Sequence, residues 1–325
     1  MLPESASLPG DDRKIVSASK PIADRVFKSF TVGFSILILA LAIGITIVLW
    51  LAASDSLKAM GLKFLFVQEW DPVISQFGAL AFVYGTLVSS LLAFLLAAPF
   101  GIGIALFLTD MAPRALKEPV SFLVEILAAI PSVVYGLWGI FVLAPFMSSH
   151  LAPFLIHWIG KPFFTYPSTG LSLLSASVIL AIMILPTIMA VSREVFMAVP
   201  RSARESALAL GATRWEAITA AVLLPSKPGL LGAMMLGLGR ALGETMAVTM
   251  IIGNRPEVSL NLLGPSHSIA SVIANEFTEA TSDMHLAALA ELGLVLMGIT
   301  VFINMAARFL VWSTSSRLGA SGSHP

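Results

Sequence analysis

The sequence predicts an all-α polytopic membrane protein with six transmembrane helices. Three observations support this fold class. Hydrophobic residues make up 57% of the 325 residues and charged residues only 12%, which is about half the charge that covers an ordinary soluble surface. The apolar residues are gathered into six long stretches, and Lys and Arg are concentrated in alternate segments between them.

Each apolar stretch is longer than the roughly 20 residues that a helix needs to cross about 30 Å of hydrocarbon. We place the spans at about residues 30–53, 78–109, 120–147, 171–192, 228–252 and 286–312. They form a membrane domain from 30 to 312, between an N-terminal tail (1–29) and a C-terminal tail (313–325). The first stretch is much longer than the apolar core of a cleaved signal peptide, so we expect it to persist as a span.

The positive charges predict the orientation. Fourteen Lys and Arg lie in the N-terminal tail, in the loops after spans two and four and at the C-terminal end, whereas the intervening segments hold four. In membrane proteins the cytoplasmic loops carry the excess of Lys and Arg. The sequence therefore predicts that both termini and the long loop 193–227 are cytoplasmic.

Prolines interrupt three of the spans: Pro99 lies in span two, Pro131 and Pro145 in span three, and Pro186 in span four. Each removes a backbone donor and disfavours a straight helix. In lipid, such breaks persist where protein or a water-lined cavity satisfies the freed carbonyls. A single proline is compatible with a packing kink, but four together favour a bundle that lines a pathway.

The loop 193–227 has the pattern of two short helices joined by a glycine. The segments Ser202–Glu205 and Thr213–Glu216 both have capping-box spacing, and Gly211 is the residue expected just past a helix end. The second helix is amphipathic and should end before Pro225. Two interpretations stay open, a connector that packs on its own bundle and a docking element that transmits force from a cytoplasmic partner.

Span five contains two charges, Arg240 and Glu244, four residues apart and therefore on one helical face. Arg240 lies near the middle of the predicted span, where a charge costs about 2.5–3.5 kcal/mol, and an i,i+4 ion pair returns only about 0.2–0.5 kcal/mol. The pair is either a buried salt bridge that fixes helix register or part of an anion pathway. Gly239 and Gly243 form a GxxxG step, which predicts close helix packing here.

Several classes of function are disfavoured by composition. The chain has no cysteine and its five histidines show no metal-ligand spacing, so we expect no metal site and no cofactor. Its formal net charge of zero gives no support to nucleic-acid binding. No segment matches the phosphate-binding loop of nucleotide hydrolases, so we expect a transport subunit rather than an enzyme.

Part of the loop 193–227 resembles the EAA motif of permease subunits of bacterial ABC importers. The resemblance rests on Glu205-Ser206-Ala207, Gly211 and Leu224-Pro225. It implies that this loop forms a coupling helix that seats on a separate ATPase subunit. Two positions depart from the pattern: Ser206 stands where alanine is usual, and thirteen residues separate Gly211 from Pro225, one more than is usual.

The sequence around the charged pair is similar to the C-type permeases (PstC type) of bacterial high-affinity phosphate importers. The string Gly237-Leu238-Gly239-Arg240-Ala241-Leu242-Gly243-Glu244-Thr245-Met246-Ala247-Val248 carries this resemblance, with supporting stretches from about residue 64 onward. In that family the two charges are needed for phosphate transport, which assigns Arg240 and Glu244 to the pathway. The resemblance also implies a bacterial plasma-membrane location, a homologous second permease of the A type, a dimer of ATP-binding subunits and a periplasmic phosphate-binding protein.

Two other transport functions remain as alternatives. One is an ABC permease for another oxyanion such as molybdate, sulfate or phosphonate. The other is an ion-gradient-driven secondary transporter, which would also use broken helices and midplane charges. Among weaker features, we expect Glu125 and Glu291 to reach the membrane interface by snorkelling, and the segment Ser268–Ala280 to form an interfacial helix near the binding protein.

Overall fold

The computed structural model describes residues 21–165 and 169–320. These residues are mainly helical and divide into two compact units, whose described parts are 21–51 in the first and 52–165 with 169–320 in the second. Within the described ranges the helices are α1 (Pro21–Ala52), α2 (Ser54–Met60), α3 (Leu80–Met111), α4 (Arg114–Ala129), α5 (Ser132–Trp158), α6 (Leu173–Met197), α7 (Arg201–Ala209), α8 (Arg214–Leu242), α9 (Met246–Ile251), α10 (Ile269–Glu276) and α11 (Asp283–Ala320). Six of them, α1, α3, α5, α6, α8 and α11, are long and apolar enough to cross a membrane, as the sequence predicts.

The helix α1 makes up the described part of the first unit and is strongly apolar after its first turns. Three of its hydroxyl groups are satisfied within the helix itself: Thr31, Ser35 and Thr46 each donate to the carbonyl four residues earlier, at 2.8–2.9 Å. In hydrocarbon such bonds replace the water that an exposed hydroxyl would otherwise bind. This pattern fits a helix whose surroundings are lipid or another apolar protein surface.

In the second unit α6 is the most buried span. Its most apolar window is 56% buried, against 33% for α3. Glycines in its neighbours allow this close packing: a Cβ on Gly101 of α3 would lie 3.0 Å from Ile188, and a Cβ on Gly237 of α8 would lie 2.5 Å from the same side chain. The chain therefore builds its core by inserting Ile188 of α6 between two glycine faces.

Prolines in the spans are accompanied by wide helical turns. Each of four π turns ends two residues before a proline: Phe107–Met111 before Pro113, Gly139–Leu143 before Pro145, Met147–Leu151 before Pro153 and Ile218–Leu223 before Pro225. A proline ring clashes with the carbonyl four residues earlier in a regular α-helix. A π turn widens the backbone at that point, and so α5 and α8 continue through their prolines.

Two predicted spans have different bounds in the structure. Span three, predicted at 120–147, is split: α4 ends at Ala129, Ile130 is extended because a proline follows it, and the crossing helix runs from Ser132 to Trp158. Span five, predicted at 228–252, begins at Arg214 and ends at Leu242. The helix expected to end before Pro225 is thus the first part of α8, which is a correction to the sequence-based prediction.

The other four spans overlap their predicted positions closely. The predicted C-terminal tail begins inside α11, which continues to Ala320, and residues 321–325 lie outside the described part of the chain. Residues 1–20 of the predicted N-terminal tail also lie outside it, whereas the remainder of that tail is the first turns of α1.

Glu291 does not reach the interface, contrary to the sequence-based expectation. It is 4% exposed within α11, and its carboxylate accepts a 2.5 Å hydrogen bond from the buried hydroxyl of Ser56 in α2. Glu125 of α4, by contrast, is exposed. The difference arises because α2 packs over the start of α11 and covers the one carboxylate but not the other.

The segment between α9 and α11 folds back onto the bundle. A Cβ on Gly85 of α3 would lie 2.1 Å from the carbonyl oxygen of His267, and the amide of Ile269 donates to the Thr86 hydroxyl at 2.9 Å. The expected helix near Ser268 is α10, and its residues from Ile269 to Val272 are buried. It is thus packed against its own chain along its first half.

Candidate functional site

The helix α7 carries the EAA-like residues on its exposed side. It begins at Arg201 after the extended residue Pro200, and no side chain caps its first turn. The predicted capping box at Ser202–Glu205 is therefore wrong, because Pro200 already fixes the chain direction one residue earlier and places Ser202 inside the helix. Glu205 and Ser206 are exposed and Ala207 is half-buried.

Gly211 ends α7 as the sequence predicts. Its φ is +89°, a left-handed conformation that glycine adopts without steric cost. Two hydrogen bonds close the helix, from the amide of Gly211 to the Leu208 carbonyl at 3.0 Å and from the amide of Ala212 to the Ala207 carbonyl at 3.2 Å. This pair of bonds is a Schellman motif, which satisfies carbonyls that the helix would otherwise leave unpaired.

The second predicted capping box, at Thr213, is confirmed. The Thr213 amide donates to the Glu216 carboxylate at 2.7 Å, and the Glu216 amide donates to the Thr213 hydroxyl at 3.3 Å. The box starts α8, where Ile218 and Val222 are buried and Trp215 is 58% exposed. α7 therefore ends and α8 begins within a few residues, and the backbone geometry of Gly211 and Thr213 fixes the elbow between them.

Arg240 lies in the last turn of α8 and is exposed in this chain. Its Nη1 lies 3.4 Å from the hydroxyl of Thr187, which follows the buried Pro186 in α6. The guanidinium is thus held by a single long hydrogen bond and keeps most of its donors free of the described protein.

Glu244 does not share a helical face with Arg240, because α8 ends at Leu242. It lies in the break before α9, where its carboxylate accepts a 3.3 Å hydrogen bond from the amide of Ala247. Among the described residues no ion pair joins Glu244 to Arg240, so the predicted i,i+4 geometry is wrong. Both charges nonetheless lie at one break in the helix.

Gly239 and Gly243 do not mediate helix packing among the described residues of this chain. A Cβ on Gly239 would meet nothing within 4 Å, and a Cβ on Gly243 would approach only the Gly239 carbonyl, at 3.8 Å. The close approaches occur instead at Gly229, beside Val195, and at Gly237, beside Ile188. The close packing predicted at Gly239 and Gly243 therefore has no partner among the described helices, and it stays a prediction for contact with another chain.

Sequence reasoning missed Thr187, the hydrogen-bond partner of Arg240, and the buried phenol of Tyr135 in α5. Thr187 gave no signal beyond its position after a proline. Tyr135 is 7% exposed, and its hydroxyl donates to the Leu127 carbonyl at 2.8 Å, across the break at Pro131. A tyrosine four residues after a proline inside an apolar run is a usable signal, since a buried phenol requires a hydrogen-bond partner.

A protein-family model described as the binding-protein-dependent transport system inner membrane component matches residues 97–313. The chain belongs to this family. The matched region of this inner membrane component runs from the middle of α3 into α11 and includes both α7 and Arg240. Together with the six apolar helices, the assignment makes the chain a multi-pass membrane protein.

Relatives of this inner membrane component extend over nearly the whole chain. The phosphate transport system permease protein PstC of Mesorhizobium japonicum is 45% identical over 92% of this chain and 93% of its own length. The protein of the same name from Pasteurella multocida is 44% identical over 92% and 94%. A chain of the MetNI methionine ABC transporter, solved in inward-facing conformations, has a TM-score of 0.53 at 17% identity and covers 72% of this chain and 94% of its own. This last likeness confirms the predicted ABC permease fold.

Proposed function

We propose that the chain is the permease subunit of an ATP-driven ABC importer for inorganic phosphate and forms half of the translocation pathway. The observation that carries this proposal is the exposed Arg240, held at the broken end of α8 in an otherwise apolar membrane domain. An unpaired charge in hydrocarbon is strongly unfavourable, so this side chain must face a wet cavity or a partner. The PstC relatives support phosphate as the anion.

The chemistry of the site suits an oxyanion that must be released again. A guanidinium is always charged and presents five donors in a fork that fits phosphate oxygens. The site offers one such group, with the Thr187 hydroxyl beside it, rather than a cage of many donors. Glu244 lies on the same helix break, and its negative charge opposes tight binding of an anion, which keeps passage transient.

A second permease of the A type completes the pathway in this proposal. Arg240 is exposed apart from its long hydrogen bond to Thr187, and an added Cβ on Gly239 or Gly243 would meet no other described helix of this chain. Glycines without a neighbour are suited to close approach by another membrane helix. A homologous second chain would bury this face and enclose the guanidinium in a shared cavity.

Energy comes from a separate dimer of ATP-binding subunits that docks on α7. The docking residues we assign are Glu205, Ser206, Ala207 and Gly211. The exposure of Glu205 and Ser206, and the rigid elbow at Gly211, support this assignment. A helix that leaves these side chains free while both of its ends are fixed suits a contact with another protein.

The orientation in the membrane follows from this assignment. The α7 end of the chain and both termini lie in the cytoplasm of a bacterium, and the distribution of Lys and Arg supports this placement. The opposite end, which includes α10, then lies at the periplasmic face of the bacterial plasma membrane. A phosphate-binding protein delivers its ligand at this face.

The experiment measures uptake of labelled phosphate in cells or vesicles that contain Arg240→Gln or Glu244→Gln at wild-type expression. Arg255→Gln is the matched control, since Arg255 is also exposed and lies outside the spans. We expect Arg240→Gln to abolish uptake, Glu244→Gln to reduce it severely and the control to retain it. Unchanged uptake by Arg240→Gln would disprove the pathway role.

Competition distinguishes the substrate from the other oxyanions. Excess unlabelled phosphate should suppress uptake, whereas sulfate, molybdate or phosphonate should not. If one of these competes better than phosphate, the chain serves that oxyanion. The family assignment and the permease fold favour the ABC importer over the ion-gradient-driven alternative, and collapse of the ion gradient in ATP-loaded vesicles should leave uptake intact.

A further inference from the structure

Arg204 differs from its neighbours on α7 because it points into the bundle. Its Nε lies 3.0 Å from a carboxylate oxygen of Asp110, in the last turn of α3, and its Nη2 donates to the Phe196 carbonyl at 2.8 Å, in the last turn of α6. The Arg204 side chain is 21% exposed. One guanidinium thus connects α7 to the ends of two membrane helices.

The rest of α7 offers little else to hold it. No residue of α7 is buried, and so the helix lacks the apolar face by which short helices usually attach to a core. A cavity of about 390 Å³ separates part of it from the bundle and is lined by Asp110, Met111, Arg204, Leu208, Trp215 and Ile218 among others. The polar contacts of Arg204 are therefore the main side-chain connection from α7 to α3 and α6.

Asp110 is unusual for a carboxylate at a helix end. Its side chain is only 9% exposed, and its second oxygen, Oδ2, has no hydrogen-bond partner among the described residues. Desolvation opposes the attraction in such a pair, so an apolar pair of similar volume would hold the helices together as well. The Nε of Arg204 also has no hydrogen-bond partner among the described residues, although it lies 3.0 Å from the Asp110 oxygen. The contact with Asp110 is therefore a close charge pair, and the directional part of the connection is the Nη2 hydrogen bond to the Phe196 carbonyl.

We propose that Arg204 is a positioning residue that transmits movement of α7 into α3 and α6 through Asp110 and the Phe196 carbonyl. The proposal rests on the proposed function, in which an ATPase subunit docks on α7. When that subunit displaces α7, the guanidinium displaces the ends of both helices. One of these, α6, also carries Thr187, whose hydroxyl lies beside Arg240. The same helix therefore connects α7, where the ATPase docks, with the arginine that we assign to the phosphate pathway.

The test uses the complete complex, with both permeases, the ATPase and the binding protein, in proteoliposomes. Phosphate transported per ATP hydrolysed is measured together with co-purification of the ATPase. We expect Arg204→Met to retain the bound ATPase and its ATP hydrolysis but to lower transport per ATP about tenfold. Asp110→Asn should give the same uncoupling, although it lies on α3 rather than on the docking helix. Arg201→Met, which removes an exposed charge from the same α7, should leave the ratio at the wild-type value.

A conservative variant separates positioning from charge alone. Arg204→Lys keeps the charge, but an ammonium cannot reach Asp110 and the Phe196 carbonyl with the geometry of the guanidinium fork, so transport per ATP should be intermediate. Three results would overturn the inference: a wild-type ratio in Arg204→Met, uncoupling by Arg204→Met without uncoupling by Asp110→Asn, or loss of ATPase binding that accounts for the entire loss of transport. In each of these cases the wild-type complex still transports phosphate and Arg240→Gln still abolishes uptake. If the proposed function itself were wrong, the wild-type complex would not transport phosphate and Arg240→Gln would have no effect on uptake.

Discussion

The two ends of the second unit, to which we assign different partner proteins in the proposal above, are held in opposite ways. At the α7 end, a helix without any buried residue is attached by polar contacts, a glycine elbow and a capping box. At the other end, Trp70 contacts Phe77 and Phe82 edge-on with ring centroids 4.9 Å apart, and the same cluster includes His285 stacked on Phe77. The first arrangement permits displacement as a rigid element, and the second resists it.

This contrast gives the two ends different expected responses to mutation. Dense aromatic packing contributes to stability through burial, so its loss should appear as unfolding. A helix held by a few directional contacts contributes little to global stability, and its loss should appear in coupling to the partner. Mutations at the two ends should therefore separate stability from transport.

The largest effect is expected for Gly85→Val at the aromatic end. Any Cβ there would lie 2.1 Å from the His267 carbonyl oxygen, so backbone must move, at a cost of about 3 kcal/mol or more. Gly103→Ala is the matched control on the same helix, because nothing lies within 4 Å of its added Cβ. Thermal unfolding of the purified complex should show a large loss for the first variant and a change within about 1 kcal/mol for the second. If Gly85→Val and Gly103→Ala had equal melting temperatures, the segment around His267 would not be tightly packed against α3.

The second-largest effect is a loss of stability at acidic pH. Burial lowers the pKa of His267 from 6.5 to about 4, so the folded chain resists a proton that the unfolded chain accepts. Stability is full above pH 6.5 and falls as the pH drops from 6.5 towards 4, by about 2 kcal/mol at pH 5. Unfolding of wild type and His267→Gln should be compared at pH 7 and pH 5. The variant should lose less stability on acidification, and identical losses would show that His267 does not contribute.

A smaller effect is expected for Trp70→Phe. The indole donates to the Glu276 carboxylate at 2.9 Å, and His285 approaches the same oxygen at 2.9 Å. Phenylalanine keeps much of the ring packing but removes this donor, which should cost about 1–2 kcal/mol. Trp158→Phe, at a site that is 72% exposed, should stay within about 0.5 kcal/mol of wild type. If both variants melt alike, the carboxylate is not an important part of the cluster.

We expect Gly211→Ala at the α7 end to change stability least. It should instead weaken the coupling between the permease and its ATPase. Alanine at a φ of +89° costs about 1 kcal/mol locally, which should loosen the elbow and weaken ATPase binding about fivefold. The matched control is Gly298→Ala in α11, where the added Cβ meets nothing within 4 Å. Titration of the ATPase onto the reconstituted permease measures the effect. A melting temperature that falls as far as in Gly85→Val would contradict the contrast between the two ends.

Sequence predicted two local features of the α7 elbow well, although the capping box expected at Ser202 was wrong. The Gly211 elbow and the Thr213 capping box depend on residues within a few positions of one another, and both are present in the structure. The spans follow from apolar length, which is also a local property. The resemblance then identified Arg240 and Glu244 as the candidate pair, and the structure places both at one break in the helix.

Features that depend on distant packing were not predictable. Asp110 and Arg204 are far apart in sequence, and nothing in their spacing indicates the ion pair. Glu291 was expected to be at the interface, because sequence does not show that α2 covers it. Pro225 was taken as a helix end because a proline usually ends a helix, whereas the preceding π turn lets α8 continue.

The π turn at Ile218–Leu223 also accounts for the unusual length of the loop. Thirteen residues separate Gly211 from Pro225, one more than the EAA pattern, and a single insertion in a regular α-helix would rotate everything beyond it by about 100°. A π turn takes up one additional residue within the helix, and it lies inside this interval. Against the spacing that the resemblance implies, the π turn therefore compensates for the one additional residue before Pro225.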